Sequence, residues 1–203
     1  MVKELVSTRK EEIINACEDL YKTYSFNDIS IKLISEKTTF SRPSIYNYFD
    51  TKEEIFLALT TREYDRWIID LNDIYNSKKM SKENFANKLA RSLEKRINLL
   101  RLISVNMYDM EENSRLECVT EFKASYGKSI EIVRNCISKF FEDMNNKEID
   151  KFIYTFFPFM IGIYPYAVVT DKKKEAMKNA NIKFKYYSLY DIANMSIKKM
   201  LGI

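Results

Sequence analysis

The sequence predicts an all-α fold, in which a small N-terminal domain of three helices precedes a larger helical domain. Only three glycines and three prolines occur among the 203 residues, too few for strands joined by hairpins. Helix-capping residues recur along the chain, and the apolar residues between them repeat with helical spacing. Together these patterns predict long helices joined by few loops.

The first helix is expected to begin at a capping box, Thr8–Glu11, in which the Thr hydroxyl and the Glu carboxylate satisfy free backbone amides. Its predicted apolar face consists of Ile13, Cys17, Leu20, Tyr21 and Tyr24. The polar run at residues 25–28 interrupts this spacing and predicts the end of the helix.

Two short helices are predicted next. Ser30 is expected to cap a helix over residues 31–38, and Ser41 a helix over residues 42–49. Pro43 suits the first turn of the latter, because amides there have no partner within the helix. Two short helices joined by a tight turn and braced by a longer first helix are typical of a helix-turn-helix, although the same pattern also fits a solvated helical hairpin that binds no DNA.

A second capping box, Thr51–Glu54, predicts a long helix that ends near residue 76. We expect the domains to divide within it, giving a helix-turn-helix domain over residues 1–60 and a larger domain over residues 61–203. Further helices are predicted at residues 81–97, 99–110, 114–142, 147–167, 171–179 and 188–201.

Composition excludes several classes of function. The chain has no histidine, so Ser-His-Asp or Cys-His catalysis and imidazole-bound metal sites are impossible within it. Cys17, Cys118 and Cys136 are widely spaced among apolar residues, which favours buried thiols over a zinc site or disulfides. We therefore expect no enzyme, no metal and no cofactor. The N-terminus has no apolar signal core, so we expect a cytoplasmic protein.

One uncharged stretch, residues 152–170, has about the length of a membrane span. Pro158, Gly162 and Pro165 lie inside it, and the sequence has no second such stretch. We interpret it as a helix buried in a core or a subunit interface, and we expect no membrane partner.

Residues 42–49 carry the side chains expected to meet DNA. Ile45 and Phe49, four positions apart, are predicted to face the core. The outward positions hold Arg42, Pro43, Ser44, Tyr46, Asn47 and Tyr48. Arginine, asparagine and tyrosine are competent hydrogen-bond donors to base edges and phosphates.

Individual cations, not net charge, have to support DNA binding. Residues 1–60 carry eight Lys and Arg against ten Asp and Glu. Lys52 begins the next predicted helix, where its ammonium and the free helix amides together can hold one phosphate. Ser30 and Lys32, at the start of the second helix, complete the predicted DNA-binding set.

The runs at residues 26–35 and 40–55 resemble the N-terminal DNA-binding domain of the TetR family of transcriptional regulators. The most specific part is Ile-Tyr-Asn-Tyr-Phe at residues 45–49, followed by Lys-Glu at residues 52–53. The resemblance implies that Tyr46 and Tyr48 contact phosphates, that Lys52 clamps the DNA backbone, and that residues 42–44 and 47 meet bases.

Two positions depart from the family pattern. Thr39 stands where glycine is common in the turn, so an unusual backbone is expected there. Tyr48 stands where histidine is common, although a phenol also donates to phosphate.

The larger domain resembles the effector-binding and dimerisation part of the same family. The resemblance implies that helices 147–167 and 188–201 pair with those of a second copy. The candidates for lining an effector pocket are Met107, Tyr108, Phe122, Tyr126, Phe156, Phe157, Met160 and Tyr164. Aromatic and methionine residues at helical spacing more often form a plain core than a ligand pocket. The lack of charge over residues 152–170 favours an apolar or cationic effector.

The sequence therefore predicts a homodimeric repressor that binds double-stranded operator DNA with a short inverted repeat. A small hydrophobic effector would release it from the DNA. Two alternatives stay open: a DNA-binding protein of the same fold without an effector, and a helical ligand carrier or enzyme.

Overall fold

The computed structural model describes residues 2–203, with side chains from residue 8 onward. This part of the chain is helical, without strands, so the predicted all-α class is confirmed. The helices are α1 (Val2–Tyr21), α2 (Ile31–Ser35), α3 (Arg42–Ile45), α4 (Lys52–Tyr75), α5 (Lys82–Lys95), α6 (Ile97–Val105), α7 (Met107–Glu112), α8 (Leu116–Phe140), α9 (Asn146–Ala167), α10 (Asp171–Asn179) and α11 (Leu189–Met200).

The chain forms two compact units. The first unit comprises residues 1–63 and 106–126, and the second comprises residues 64–105 and 127–203. Helices α4 and α8 each contribute one part to each unit. The sequence placed a single boundary near residue 60, whereas the first unit also contains α7 and the beginning of α8.

In the first unit, α1 packs against α2 and α2 packs against α3. The predicted apolar face of α1 is confirmed for Ile13, Cys17, Leu20 and Tyr21, which are all buried. It is wrong for Tyr24, which is exposed because α1 ends at Tyr21. The helix start predicted at Thr8 is also wrong. α1 begins at Val2, and no glycine or proline interrupts residues 2–8.

The capping box predicted at the start of α4 is only partly correct. The Thr51 hydroxyl accepts a hydrogen bond from the Glu54 amide (3.2 Å), as predicted. The Glu54 carboxylate does not return to Thr51, however, but accepts from the amide of Asp50 (2.8 Å). Farther along α4, Arg62 binds Glu18 of α1 (2.7 Å), so polar contacts join the two longest helical segments of this unit.

The second unit has a large apolar core. Helix α5 packs against α6 and α11, and α9 packs against α6 and α11. Trp67 is fully buried, and its Nε1 donates to the Ser92 hydroxyl (2.9 Å). The rings of Phe152 and Phe156 stack with centroids 5.4 Å apart. Buried aromatic side chains therefore contribute to the stability of this unit together with many buried leucine and isoleucine residues.

The single helix predicted over residues 99–110 is wrong. Asn106 has φ −139° and ψ 27°, outside the helical region, and it divides the segment into α6 and α7. Asn106 makes no side-chain capping hydrogen bond to α7, so the break is visible only in its backbone angles.

Within the described residues no single helix is long and apolar enough to cross a membrane. Only α9 and α10 taken together, bent by 81° at the break between them, meet the criteria of length and composition. Most apolar side chains of α9 are buried in the second unit, including Phe152, Phe156 and Met160.

Candidate nucleic-acid interface

The helix-turn-helix lies in the first unit. The Ser30 hydroxyl accepts a hydrogen bond from an amide of the first turn of α2 (3.2 Å) and caps it, as the sequence predicts. The predicted end of the next helix is wrong, since α3 ends at Ile45, and Ser41 makes no side-chain capping hydrogen bond. The amides of Tyr48 and Phe49 nevertheless both donate to the Ile45 carbonyl (2.9 and 3.1 Å). Residues 42–49, the recognition segment, therefore keep a helical course beyond the end of α3.

A carboxylate of α1 holds the turn between α2 and α3. Thr39 donates to Glu12 Oε1 from its backbone amide (2.7 Å) and from its hydroxyl (2.8 Å). The unusual backbone expected at Thr39 is not found, because Asn181 is the only non-glycine residue with a positive φ in the described chain. The turn thus needs no glycine, since two hydrogen bonds to α1 fix it instead.

The recognition segment has one apolar and one polar side. Ile45 and Phe49 are buried, which confirms that they face the core. The other side chains divide into an exposed set, Arg42, Pro43, Tyr46 and Asn47, and a half-buried pair, Ser44 and Tyr48. The outward surface therefore presents guanidinium, amide and phenol groups.

Two guanidinium groups approach the tyrosine hydroxyls of this surface. Arg42 Nη2 donates to the Tyr46 hydroxyl (3.2 Å), and Arg9 Nη1 donates to the Tyr48 hydroxyl (3.3 Å). A phenol that accepts such a bond keeps its own O–H for a phosphate oxygen. The sequence analysis missed Arg9, because it lies 39 residues from Tyr48 and no local pattern links the two.

Lys52 is the first residue of α4, as predicted. Its ammonium donates to the Phe26 carbonyl (3.1 Å) and lies 4.3 Å from the centroid of the Phe26 ring. An ammonium has three donors, so this bond positions the group and leaves donors for a phosphate. Ser30 and Lys32, the remaining members of the predicted set, are both exposed.

A buried carboxylate follows the recognition segment. The Glu54 side chain is fully buried. Its oxygens accept four hydrogen bonds, from Arg115 Nε (2.7 Å), Arg115 Nη2 (2.8 Å), the Arg115 amide (3.0 Å) and the Asp50 amide (2.8 Å). Nearby, the Thr51 hydroxyl donates to the Asn113 carbonyl (3.0 Å). We name Asp50, Thr51, Glu54, Asn113 and Arg115 the Glu54 cluster.

The Glu54 cluster keeps its carboxylate ionised. Burial raises the pKa of Glu54, but the hydrogen bonds from Arg115 and from two backbone amides outweigh burial, so the pKa lies below its ordinary value. The hydrogen bond to Glu54 in turn raises the pKa of Arg115. The sequence analysis missed Arg115, because the two partners lie 61 residues apart and only the fold brings them together.

The residues predicted to line an effector pocket are divided between the units. Those of the first unit are Met107, Tyr108, Phe122 and Tyr126, and those of the second are Phe156, Phe157, Met160 and Tyr164. Phe122 is buried, whereas Tyr108 is 76% exposed. Phe156, Phe157 and Met160 are buried in the core of the second unit. Their role in binding an effector stays a prediction.

Two family models match the chain. The model described as "Bacterial regulatory proteins, tetR family" matches residues 13–59, which include the helix-turn-helix. The model described as "Tetracyclin repressor-like, C-terminal domain" matches residues 61–187, more than half of the chain. Direct comparison of the sequence with curated proteins finds no significant match.

Solved structures of similar fold cover almost the whole chain. The fatty acid degradation regulator FadR from Bacillus halodurans has a TM-score of 0.61 and 14% identity, over 95% of this chain and 97% of that one. A TetR/AcrR-family regulator from Thermobifida fusca has a TM-score of 0.61 and 16% identity, over 96% of each chain. FadR from Bacillus subtilis in complex with stearoyl-CoA has a TM-score of 0.58 and 17% identity, over 95% and 98%. At this level of identity the likeness shows the fold.

Proposed function

This chain belongs to the TetR family of transcriptional regulators, and we propose that it is a homodimeric repressor of a short inverted-repeat operator. The observation that carries the proposal is the recognition segment, which buries Ile45 and Phe49 and exposes Arg42, Tyr46 and Asn47. An exposed helical surface of this kind fits the major groove, where guanidinium and amide groups read base edges.

Phosphate contacts would surround the base contacts. We assign this role to Tyr46, Tyr48 and Lys52, with Arg9 as an addition from the structure. These groups are already held by the protein: Tyr46 by Arg42, Tyr48 by Arg9, and Lys52 by the Phe26 carbonyl. Groups that are ordered before binding lose less conformational entropy when they meet DNA.

A second copy would cover the uncharged face of α9 and the adjoining Met195 of α11. This face exposes Tyr154, Ile161, Tyr166 and Met195, large apolar or aromatic side chains that water solvates poorly. Gly162 lies exposed among them, and apart from its neighbours in α9 no heavy atom of the described residues lies within 4 Å of the position that a Cβ would take. A helix of a second copy could therefore approach closely. The two copies together would present two recognition segments to one operator.

The proposed effector is a hydrophobic small molecule bound by the domain that follows the helix-turn-helix. The similar FadR structure from Bacillus subtilis is a complex with stearoyl-CoA, a ligand with a long apolar chain. The many apolar side chains of α9 support the same chemical class here. A ligand that releases the operator must bind more weakly when DNA is present, because the coupling is reciprocal.

Selection of DNA from a random-sequence pool tests the proposed function. We expect enrichment of an inverted repeat whose half-sites lie about one helical turn, roughly 10 base pairs, apart. Enrichment of an unrepeated sequence, or of none, would contradict the dimeric repressor.

Thermal unfolding with stearoyl-CoA, and with coenzyme A alone as the matched control, tests the effector class. Only the acylated compound should raise the melting temperature, by a ligand-dependent stabilisation of about 2.7 kcal/mol at a hundred times the Kd. If neither compound, nor free fatty acids, shifts the melting temperature, the result favours the alternative of a DNA-binding protein of the same fold without an effector.

A further inference from the structure

We infer that Arg115 is a positioning residue of the helix-turn-helix, although it lies far downstream of this motif in the sequence. The inference rests on the proposed function for its effect on DNA binding. It goes beyond that function, because Arg115 lies outside residues 13–59, which match the DNA-binding family model, and yet supports the DNA-binding surface.

Arg115 lies in the first compact unit. Residues 106–126 belong to the same compact unit as the helix-turn-helix. Arg115 immediately precedes α8, and both its side chain and its backbone amide bind Glu54 in the first turn of α4. Two kinds of contact from one residue therefore fix the beginning of α8 to the beginning of α4.

The same arginine also reaches the recognition segment itself. Arg115 Nη2 lies 3.4 Å from the Tyr48 carbonyl, and Arg115 Nε lies 3.2 Å from Asp50 Oδ2. Glu54, which Arg115 holds, accepts the Asp50 amide (2.8 Å). The guanidinium thus binds the end of the recognition segment at Tyr48, and its carboxylate partner Glu54 binds Asp50, directly after the segment.

Burial of the Glu54 carboxylate makes its hydrogen bonds with Arg115 important for the position of the recognition segment. A carboxylate without access to water needs all its hydrogen bonds from the protein, and Arg115 supplies three of the four that Glu54 accepts. Removing the guanidinium leaves a buried charge that can recover its hydration only if α4 or the recognition segment moves. A shift of that segment changes which base edges its exposed side chains meet.

Hydrogen exchange provides the test that does not depend on DNA. In Arg115→Ala, the amides at the end of the recognition segment and of Asp50 should exchange at least about tenfold faster than in the wild type, because their local opening costs less. Arg115→Lys keeps the charge without the bidentate geometry and should give an intermediate increase. Arg134→Ala is the matched control, since its exposed pair with Asp150 lies in the second unit.

Binding to DNA provides the second readout, with duplexes selected by the wild-type protein and a scrambled duplex of equal length. In Arg115→Ala, affinity for the selected duplex should fall about tenfold or more, whereas affinity for the scrambled duplex at low salt stays within about twofold, because the phosphate-binding cations are intact. Arg134→Ala should change neither affinity.

If Arg115→Ala does not fold, the double variant Glu54→Gln/Arg115→Ala removes the unpaired buried charge and is measured in the same way. Faster exchange at residues 46–50 in a folded variant supports the inference, and exchange equal to that of the wild type overturns it. A wild-type protein that selects no DNA sequence would contradict the proposed function, while the exchange measurement would still decide the role of Arg115.

Discussion

The two compact units of this chain differ in what their polar contacts hold in place. In the first unit, polar groups distant in sequence hold the recognition segment and its turn: Glu12 binds Thr39, and Arg115 binds Glu54. In the second unit, Trp67, Phe156 and Phe152 pack in an aromatic core, and the polar contacts of Trp67 with Ser92 and of Arg96 with Asp70 lie alongside it. Both units bury apolar side chains, and the first adds directional contacts that position its recognition segment.

This difference fits the proposed functions, DNA binding by the helix-turn-helix and effector binding by the domain that follows it. A DNA reader needs side chains at fixed positions, which hydrogen bonds and ion pairs provide because their energy depends on geometry. A helical domain that binds a hydrophobic molecule needs apolar surface, which depends less on exact geometry. The following predictions test the comparison.

Truncation of the aromatic core should have the largest effect on stability. Trp67→Ala removes a fully buried side chain, so we expect the free energy of unfolding to fall by about 3–5 kcal/mol. Urea unfolding followed by circular dichroism measures the change. Ile69→Ala is the control on the same helix, because Ile69 is 63% exposed, and it should change stability by less than about 0.5 kcal/mol. Equal losses in both variants would contradict the stabilisation assigned to the buried Trp67 side chain.

A charge on the uncharged face should separate the two copies. Ile161 is exposed on α9, and Ile161→Glu would place a carboxylate in the proposed interface of α9 and α11. We expect monomers in sedimentation experiments and a loss of operator affinity on the order of 10²–10⁴, because one recognition segment binds without its mate. Asn135→Glu, at an exposed position on α8, is the control and should remain dimeric. A wild-type protein that is monomeric at micromolar concentration would end this account of the dimer.

Acid should weaken the Glu54 cluster. The pKa of Glu54 is lower in the folded protein than its ordinary value of 4.5, so the ionised cluster stabilises the fold above that pH, and the stabilisation is lost as the pH falls through the lowered value. Unfolding measured from neutral pH to below 4 should therefore show a loss of stability that is smaller in Glu54→Gln. Asp143→Asn removes an exposed carboxylate paired with Lys82 and should change this acid-induced loss of stability less. If Glu54→Gln loses as much stability in acid as the wild type, the result would contradict a pairing maintained by ionisation.

Features determined by neighbouring residues could be predicted from the sequence. Ser30, Ser81 and Ser188 cap their helices through hydrogen bonds of short range, and all three helix starts follow from the local pattern. The burial of Ile45 and Phe49 likewise follows from their spacing of four residues.

Features that depend on distant residues could not be predicted. The support of Tyr48 by Arg9 and of Glu54 by Arg115 joins residues 39 and 61 positions apart, and a single sequence contains no periodic signal for such pairs. Local reasoning also failed at Thr8, where a capping pattern lies inside a helix, and at Asn106, where a helix ends without glycine or proline.

The central claim is that the recognition segment reads bases while Lys52 holds the DNA backbone. Mobility-shift titrations of Asn47→Ala and Lys52→Ala, on selected and scrambled duplexes at several salt concentrations, test it most directly. Asn47→Ala should lose about 1–3 kcal/mol of affinity for the selected duplex only. Lys52→Ala should weaken binding to both duplexes alike and reduce the salt slope by about one. Two variants with wild-type affinity for both duplexes and an unchanged salt slope would contradict the claim.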